Sequence, residues 1–316
     1  MQDINTLPAI LPTVTPATQS PTAIVDQFLR SLDIRQNSKE LYRRTIGYYL
    51  DYISCEGLEL PQLTQPDLVR YRDTLLASGK STLTVSSYIT AIKSFYEWTE
   101  AMRIYPNIAK GLRSPKRRQQ FSKQPLTPTQ ATTLLNSLQA SSSLKDYAIV
   151  NLLLRTGLRT IELIRANIGD IQQRGGKRIL LVHGKGRDEK DNFVVLTDKA
   201  AAPLQAYLAT RSQQPDTAPL FVSTSNNSKG QRLNTRTIRG IVKDSLRKIG
   251  LDSKALSAHS LRHTGATNIL RETGDLEKTR IFCRHSNPAT TLIYTATLAE
   301  ESRLKASGED VLDRLF

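Results

Sequence analysis

The chain has 316 residues, 39% of them hydrophobic, which is globular composition and enough length for one large domain or two ordinary ones. Lysine and arginine outnumber aspartate and glutamate 44 to 29, and the resulting formal net charge of +15 favours a polyanionic partner. The two cysteines, Cys55 and Cys283, are far apart, which excludes a disulfide framework or a cysteine-rich zinc site and suits a reducing, cytoplasmic setting. No apolar run approaches the roughly 18 residues of a membrane span, and no basic-then-apolar secretory start is present. The sequence also lacks a GxxxxGK[ST] phosphate loop and an HExxH metal motif.

Residues 1–21 carry four prolines and a single charged side chain, Asp3, and read as a flexible leader. Helical periodicity starts at Thr22, with Ile24, Val25, Phe28, Leu29 and Leu32 on one face. Asn37 or Ser38 is the expected cap of a second helix that carries Leu41, Ile46, Tyr49 and Ile53. Thr64, an early proline and Gly79 bracket a third helix with Leu68, Tyr71 and Leu75. Val85, Tyr88, Ile89, Ile92, Phe95 and Trp98 mark a fourth. The pattern predicts an all-α domain over 22–113.

A basic linker is expected over 114–124. The surrounding stretch "KGLRSPKRRQQFSK" holds Lys110, Arg113, Lys116, Arg117, Arg118 and Lys123 and no acid, so it suits phosphate contacts that release counterions. A plain solvated linker fits the same composition.

The second domain is expected over 125–316. Thr127, Pro128 and Gln130 form a capping box, and a mostly helical stretch follows, broken at Gly157. "RILLVHGKGRDEKDNFVVLT" alternates around a glycine-containing turn and predicts a β-hairpin. Helices are expected over 234–249, 260–273, 275–284 and 289–301. The fold class is therefore mainly α with a small β-sheet, in two domains.

Chemistry concentrates in the second half. Arg159 stands in "TGLRTIEL", Lys185 at the hairpin tip, His259 and Arg262 in "HSLRHTG", and His285 and Tyr294 in "CRHSNPATTLIYT". Singly, each has an ordinary explanation: a surface arginine, a packed tyrosine, a structural histidine. As an ordered set they suit attack on a phosphodiester. Two guanidinium forks match the non-bridging oxygens of a phosphate, and a tyrosine hydroxyl can form a covalent phosphotyrosyl enzyme. A lysine can protonate the leaving oxygen, and a histidine can accept a proton. No metal or other cofactor is needed for such a step.

These boxes resemble those of the tyrosine recombinase (phage integrase) family, over about residues 22–316, with its Xer-like and Cre-like members as the nearest pattern. The resemblance implies a two-domain DNA clamp, with an all-α, SAM-like core-binding domain and a mixed α/β catalytic domain. It assigns Arg159 and Arg262 to a phosphate clamp, Lys185 to general acid, His259 to proton transfer, His285 to the scissile phosphate and Tyr294 to the nucleophile. Glu162 and His263 fall at supporting positions. The implied partner is double-stranded DNA with an inverted-repeat core, bound by a homotetramer that exchanges strands through a Holliday junction. The apolar stripe Val311, Leu312, Leu315 and Phe316 suits docking of the C-terminal tail on a neighbouring protomer. A type IB topoisomerase-like nicking-closing enzyme shares this chemistry, and a catalytically silent DNA-binding regulator shares the charge. Two features depart from the family pattern: Arg284 stands before His285 where glycine is common, either to contact DNA or to alter the packing of the turn, and the frequent YTH ending reads Tyr294-Thr295-Ala296, at a position that is not catalytic.

Overall fold

The computed structural model describes residues 20–115, 123–141, 143–183, 190–211, 213–305 and 307–316. The leader up to residue 19, the hairpin tip with Lys185, and the linker residues Lys116, Arg117 and Arg118 lie outside the described residues. The chain divides into two compact units, Met1–Gln119 and Gln120–Phe316.

The first unit holds α1 (Pro21–Ser31), α2 (Gln36–Cys55), α3 (Gln65–Ala77) and α4 (Thr82–Ala101). Its core is the set expected from periodicity: Ile24, Phe28, Ile46, Tyr49, Leu68, Tyr71, Val85, Ile89 and Phe95 are all buried. Tyr49 and Tyr96 bring a polar atom each into this core and satisfy one another, hydroxyl to hydroxyl, at 3.0 Å. Two boundaries differ from expectation. Ser20 caps α1 and Pro21 opens it, so the last residue assigned to the leader is helical. The cap of α2 is Arg35, with no side-chain bond, and Asn37 and Ser38 lie inside the first turn. A side-chain cap contributes only about 1 kcal/mol, too little to fix a boundary against the packing of twenty residues.

The second unit begins with α5 (Pro128–Gln139), capped by the Thr127–Gln130 box, and α6 (Leu144–Thr156). Gly157, at φ +58, ends α6, and α7 (Thr160–Arg165) follows at once. A three-stranded antiparallel sheet comes next, β1 (Ile171–Arg174), β2 (Lys177–Val182) and β3 (Asn192–Val195), in the order β1-β2-β3. β2 and β3 are the expected hairpin, with Leu180 opposite Val194. β1 is an addition, because "IQQR" is too short to show alternation, although the Gly175–Gly176 turn with both φ positive is a hairpin signal. α8 (Asp198–Ala209) is also an addition, hidden in the sequence by Pro203 inside the helix. Then come α9 (Thr235–Lys248), α10 (Ala258–Thr273), α11 (Leu276–Cys283), α12 (Leu292–Lys305) and the short α13 (Gly308–Leu312). No helix among the described residues is long and apolar enough to cross a membrane.

The core of this unit joins α5, α6, the sheet, α8, α9 and the start of α10. A smaller cluster of Ala266, Leu270, Cys283 and Tyr294 ties α10, α11 and α12 together. Phe282 seats that cluster on α6. A Cβ at Gly157 would lie 2.5 Å from the Phe282 ring and one at Gly265 would lie 2.8 Å from it, so both positions require glycine for this approach.

Candidate active site

Arg159 sits at the N-terminus of α7, immediately after the glycine break. Its backbone N–H donates to Glu162 Oε2 at 2.8 Å, and its Nη1 donates to Oε1 at 2.6 Å. Glu162 is buried, whereas Arg159 keeps 23% of its side chain exposed, so the pair aims a cation at solvent from a buried carboxylate. Burial alone raises the Glu162 carboxyl, but Arg284, the Arg159 N–H and the Arg159 and Arg262 guanidinium groups hold it below the usual range.

His259, Arg262 and His263 lie on α10, whose first turn points them to one end of α6. Arg262 is buried and donates to the carbonyls of Gly157 and Cys283, the C-terminal ends of α6 and α11. Helix C-termini carry partial negative charge, which suits a guanidinium. Burial still pulls this group down, to about 10, so it remains a cation at neutral pH.

Four rings follow in series. His259 and His263 meet edge to face with centroids 4.3 Å apart, His263 and Tyr294 are 5.6 Å apart, and Tyr294 stacks parallel to His285 at 6.3 Å. The Tyr294 hydroxyl lies 3.1 Å from His263 Nδ1, and the Cys283 thiol donates to it at 3.7 Å. His285 Nδ1 lies 3.0 Å from the buried Thr291 hydroxyl, which fixes its ring, and Arg280 donates to the His285 carbonyl.

Burial and the neighbouring cations keep the histidines uncharged at neutral pH. His263 is pulled to about 3 and His285 to about 4, first by burial and then by surrounding positive groups that include Arg262. His259 is lowered for the same reasons. Tyr294 is raised, chiefly by burial and by Cys283, while Arg262 and Arg159 pull the other way. The arrangement combines fixed cations, neutral imidazoles and a phenol. It can bind a phosphate and move protons at it without a metal, and no group of three or more His, Cys, Asp or Glu that could hold a metal ion occurs among the described residues.

The structure thus brings together Arg159, Glu162, His259, Arg262, His263, His285 and Tyr294. Lys185 lies outside the described residues. Lys110 and Arg113 are exposed on the first unit, where their carbonyls accept bonds from Gln65 and Arg72. Lys123 belongs to the second unit, where its amine donates to the Lys254 carbonyl and it shares a concave surface with Arg159, Arg239 and His259. Arg239 was not anticipated, although its signal is legible in the basic face of α9. Arg284 does not face outward: its guanidinium turns into the protein and pairs with Glu162 at 2.8 Å. Its left-handed backbone, φ 52, costs a side-chain-bearing residue about 1 kcal/mol relative to glycine.

Comparison with known proteins shows the family to which the chain belongs. The Phage integrase family model matches residues 124–301, and the Phage integrase N-terminal SAM-like domain matches residues 25–102. Tyrosine recombinase XerC of Corynebacterium glutamicum is 30% identical over 86% of this chain and 86% of its own length. Tyrosine recombinase XerC of Actinobacillus pleuropneumoniae is 30% identical over 82% of this chain and 83% of its own length. The fold is shared with the XerH site-specific recombinase bound to palindromic difH substrate, at a TM-score of 0.72 and 18% identity over 92% of this chain and 96% of that one. The chain belongs to the phage integrase family. Within it, the chain is a site-specific tyrosine recombinase, an enzyme that cleaves and rejoins DNA strands.

Proposed function

We propose that Tyr294 is the nucleophile and forms a 3′-phosphotyrosyl bond with one strand of a duplex. The observation that carries this is the grouping of Arg159 and Arg262 with the Tyr294 phenol, which lies 3.1 Å from His263 Nδ1 and stacks on His285, with His259 packed against His263. Arg159 and Arg262 hold the non-bridging oxygens and offset charge as it develops on them. The Tyr294 oxygen bonds to phosphorus as the bond to the 5′-oxygen breaks. The phenol proton leaves to an imidazole, with His263 Nδ1 in reach and His259 assisting, and Lys185 supplies a proton to the 5′-oxygen. His285 donates to a phosphate oxygen. The new ester keeps the energy of the broken bond, so rejoining needs no ATP.

The partner is double-stranded DNA with an inverted-repeat core, and the functional assembly is a homotetramer that passes through a Holliday junction. The +15 charge supports the first. The XerH complex with palindromic substrate supports a paired site. Residues 22–113 form the core-binding domain, 114–124 the linker and 125–316 the catalytic domain. Exposed Val311, Leu312, Leu315 and Phe316 support docking of the tail on a second protomer. The setting is cytoplasmic. A duplex carrying two sites tests this reading: exchanged products support it, and relaxation without exchange favours a nicking-closing enzyme.

A further inference from the structure

We propose that Arg284 is a positioning residue for strand cleavage: its guanidinium occupies one oxygen of Glu162 and thereby keeps the Arg159 fork turned toward the scissile phosphate. This rests on the assignment of Arg159 and Tyr294 to phosphate chemistry.

The geometry is specific. Arg284 follows α11 in a left-handed conformation that ordinarily selects glycine. Its side chain is only 6% exposed. One Nη donates to the Thr156 carbonyl at 3.3 Å and to the Phe282 carbonyl at 2.9 Å. The other donates to the Gly157 carbonyl at 3.0 Å and to Glu162 Oε2 at 2.8 Å. One side chain therefore links the end of α6, the start of α7 and the turn that leads to His285. Its buried Nε has no hydrogen-bond partner in the structure. A left-handed backbone and an unpartnered Nε are poor features for a residue kept for stability alone.

The division of Glu162 explains what the residue does. Oε1 accepts from the Arg159 guanidinium, and Oε2 accepts from Arg284 and from the Arg159 backbone N–H. Arg159 is thus held at one Nη rather than by a two-point fork. A carboxylate left without Arg284 is buried and short of a charged partner. The nearest remaining fork is Arg159 itself, and a two-point pair would turn it away from the phosphate.

The test uses the full chain and a nicked duplex of the sequence it selects from a randomised pool. Arg284→Gly relieves the left-handed position while removing the guanidinium's hydrogen bonds, and a circular dichroism melt checks that the variant is folded. Duplex affinity is expected to stay within about threefold, while covalent adduct formation at saturating DNA falls at least tenfold. Arg284→Lys, which keeps the cation but not the fork, falls between. Glu162→Gln combined with Arg284→Gly is expected to be no slower than Glu162→Gln alone. Adduct formation at the wild-type rate in Arg284→Gly overturns the proposal, as does an equal loss of binding, or losses that multiply in the double variant. If the wild-type chain itself forms no adduct, the Tyr294 assignment falls and this one with it. If the wild type forms the adduct and the glycine variant matches it, only the role of Arg284 is lost.

Discussion

The phenol oxygen of Tyr294 lies 3.1 Å from Nδ1 of His263, on a helix two elements away. That contact puts a neutral imidazole against the hydroxyl proposed as the nucleophile, in a setting closed off from solvent: Tyr294 is 1% exposed. Among the residues of α12, Tyr294 alone is buried. A helix with one fully buried side chain, helped by the half-buried Ile293 and Leu298 and an Arg271–Glu301 pair, opens more easily than the core. Amide hydrogen exchange over 292–305 is therefore expected to be faster than over α10 in the free protein. Protection of α12 equal to that of α10 would argue against release of Tyr294 by local opening.

Arg159→Ala is expected to reduce cleavage about 100-fold or more while reducing duplex affinity only a few-fold. The reason is that the guanidinium acts mainly on charge that develops in the transition state. Filter binding and single-turnover cleavage on the same duplex measure the two effects. Equal losses would make Arg159 a binding residue only.

Acid lability follows from the histidines. Unfolded histidine titrates near 6.5, whereas His263 and His285 in the fold titrate near 3 and 4. Between these values the unfolded chain binds more protons than the folded one, so stability is present above about pH 6.5 and is lost as pH falls. Near pH 5 each such histidine adds about 1.4 kcal/mol per pH unit to the slope of stability against pH. His263→Gln is expected to reduce that slope by about this amount, read from urea unfolding at a series of pH values. An unchanged slope would mean that His263 is protonated in the fold.

Gly157→Ala tests how the clamp is built. The position has φ +58, and the new methyl group would meet the Phe282 ring at 2.5 Å. A loss of about 2–4 kcal/mol in folding stability is expected, from backbone strain and overpacking together. Gly176→Ala, also at positive φ but with open space around it, should cost less. Equal costs would remove the Phe282 contact from the explanation.

Much of this site was legible because its chemistry is carried by residue type and order. Arg159, Arg262, His285 and Tyr294 stand out as a set whatever the packing around them. Packing and depth were not legible. Nothing local to Arg284 says whether its side chain turns out to DNA or in to Glu162, a residue 122 positions away. His263 reads as scaffold because only the return of α12 brings the Tyr294 hydroxyl to its ring. The helices of the first unit were visible because their apolar faces repeat over several turns, whereas β1 and α8 were not, being four polar-rich residues and a helix interrupted by proline.

Cleavage is expected to persist in EDTA, because guanidinium groups rather than a metal ion offset the phosphate charge. Loss of cleavage on chelation, restored by added magnesium, would replace this account with a metal-dependent one.

The central claim is the identity of the nucleophile. The direct measurement is to trap the covalent complex on a nicked duplex, digest it and identify the modified peptide by mass spectrometry. The account predicts a phosphotyrosyl linkage on Tyr294, joined to a DNA 3′-end, that disappears in Tyr294→Phe while duplex binding stays. An adduct that persists in Tyr294→Phe, or that maps to another residue in the wild-type chain, would contradict it.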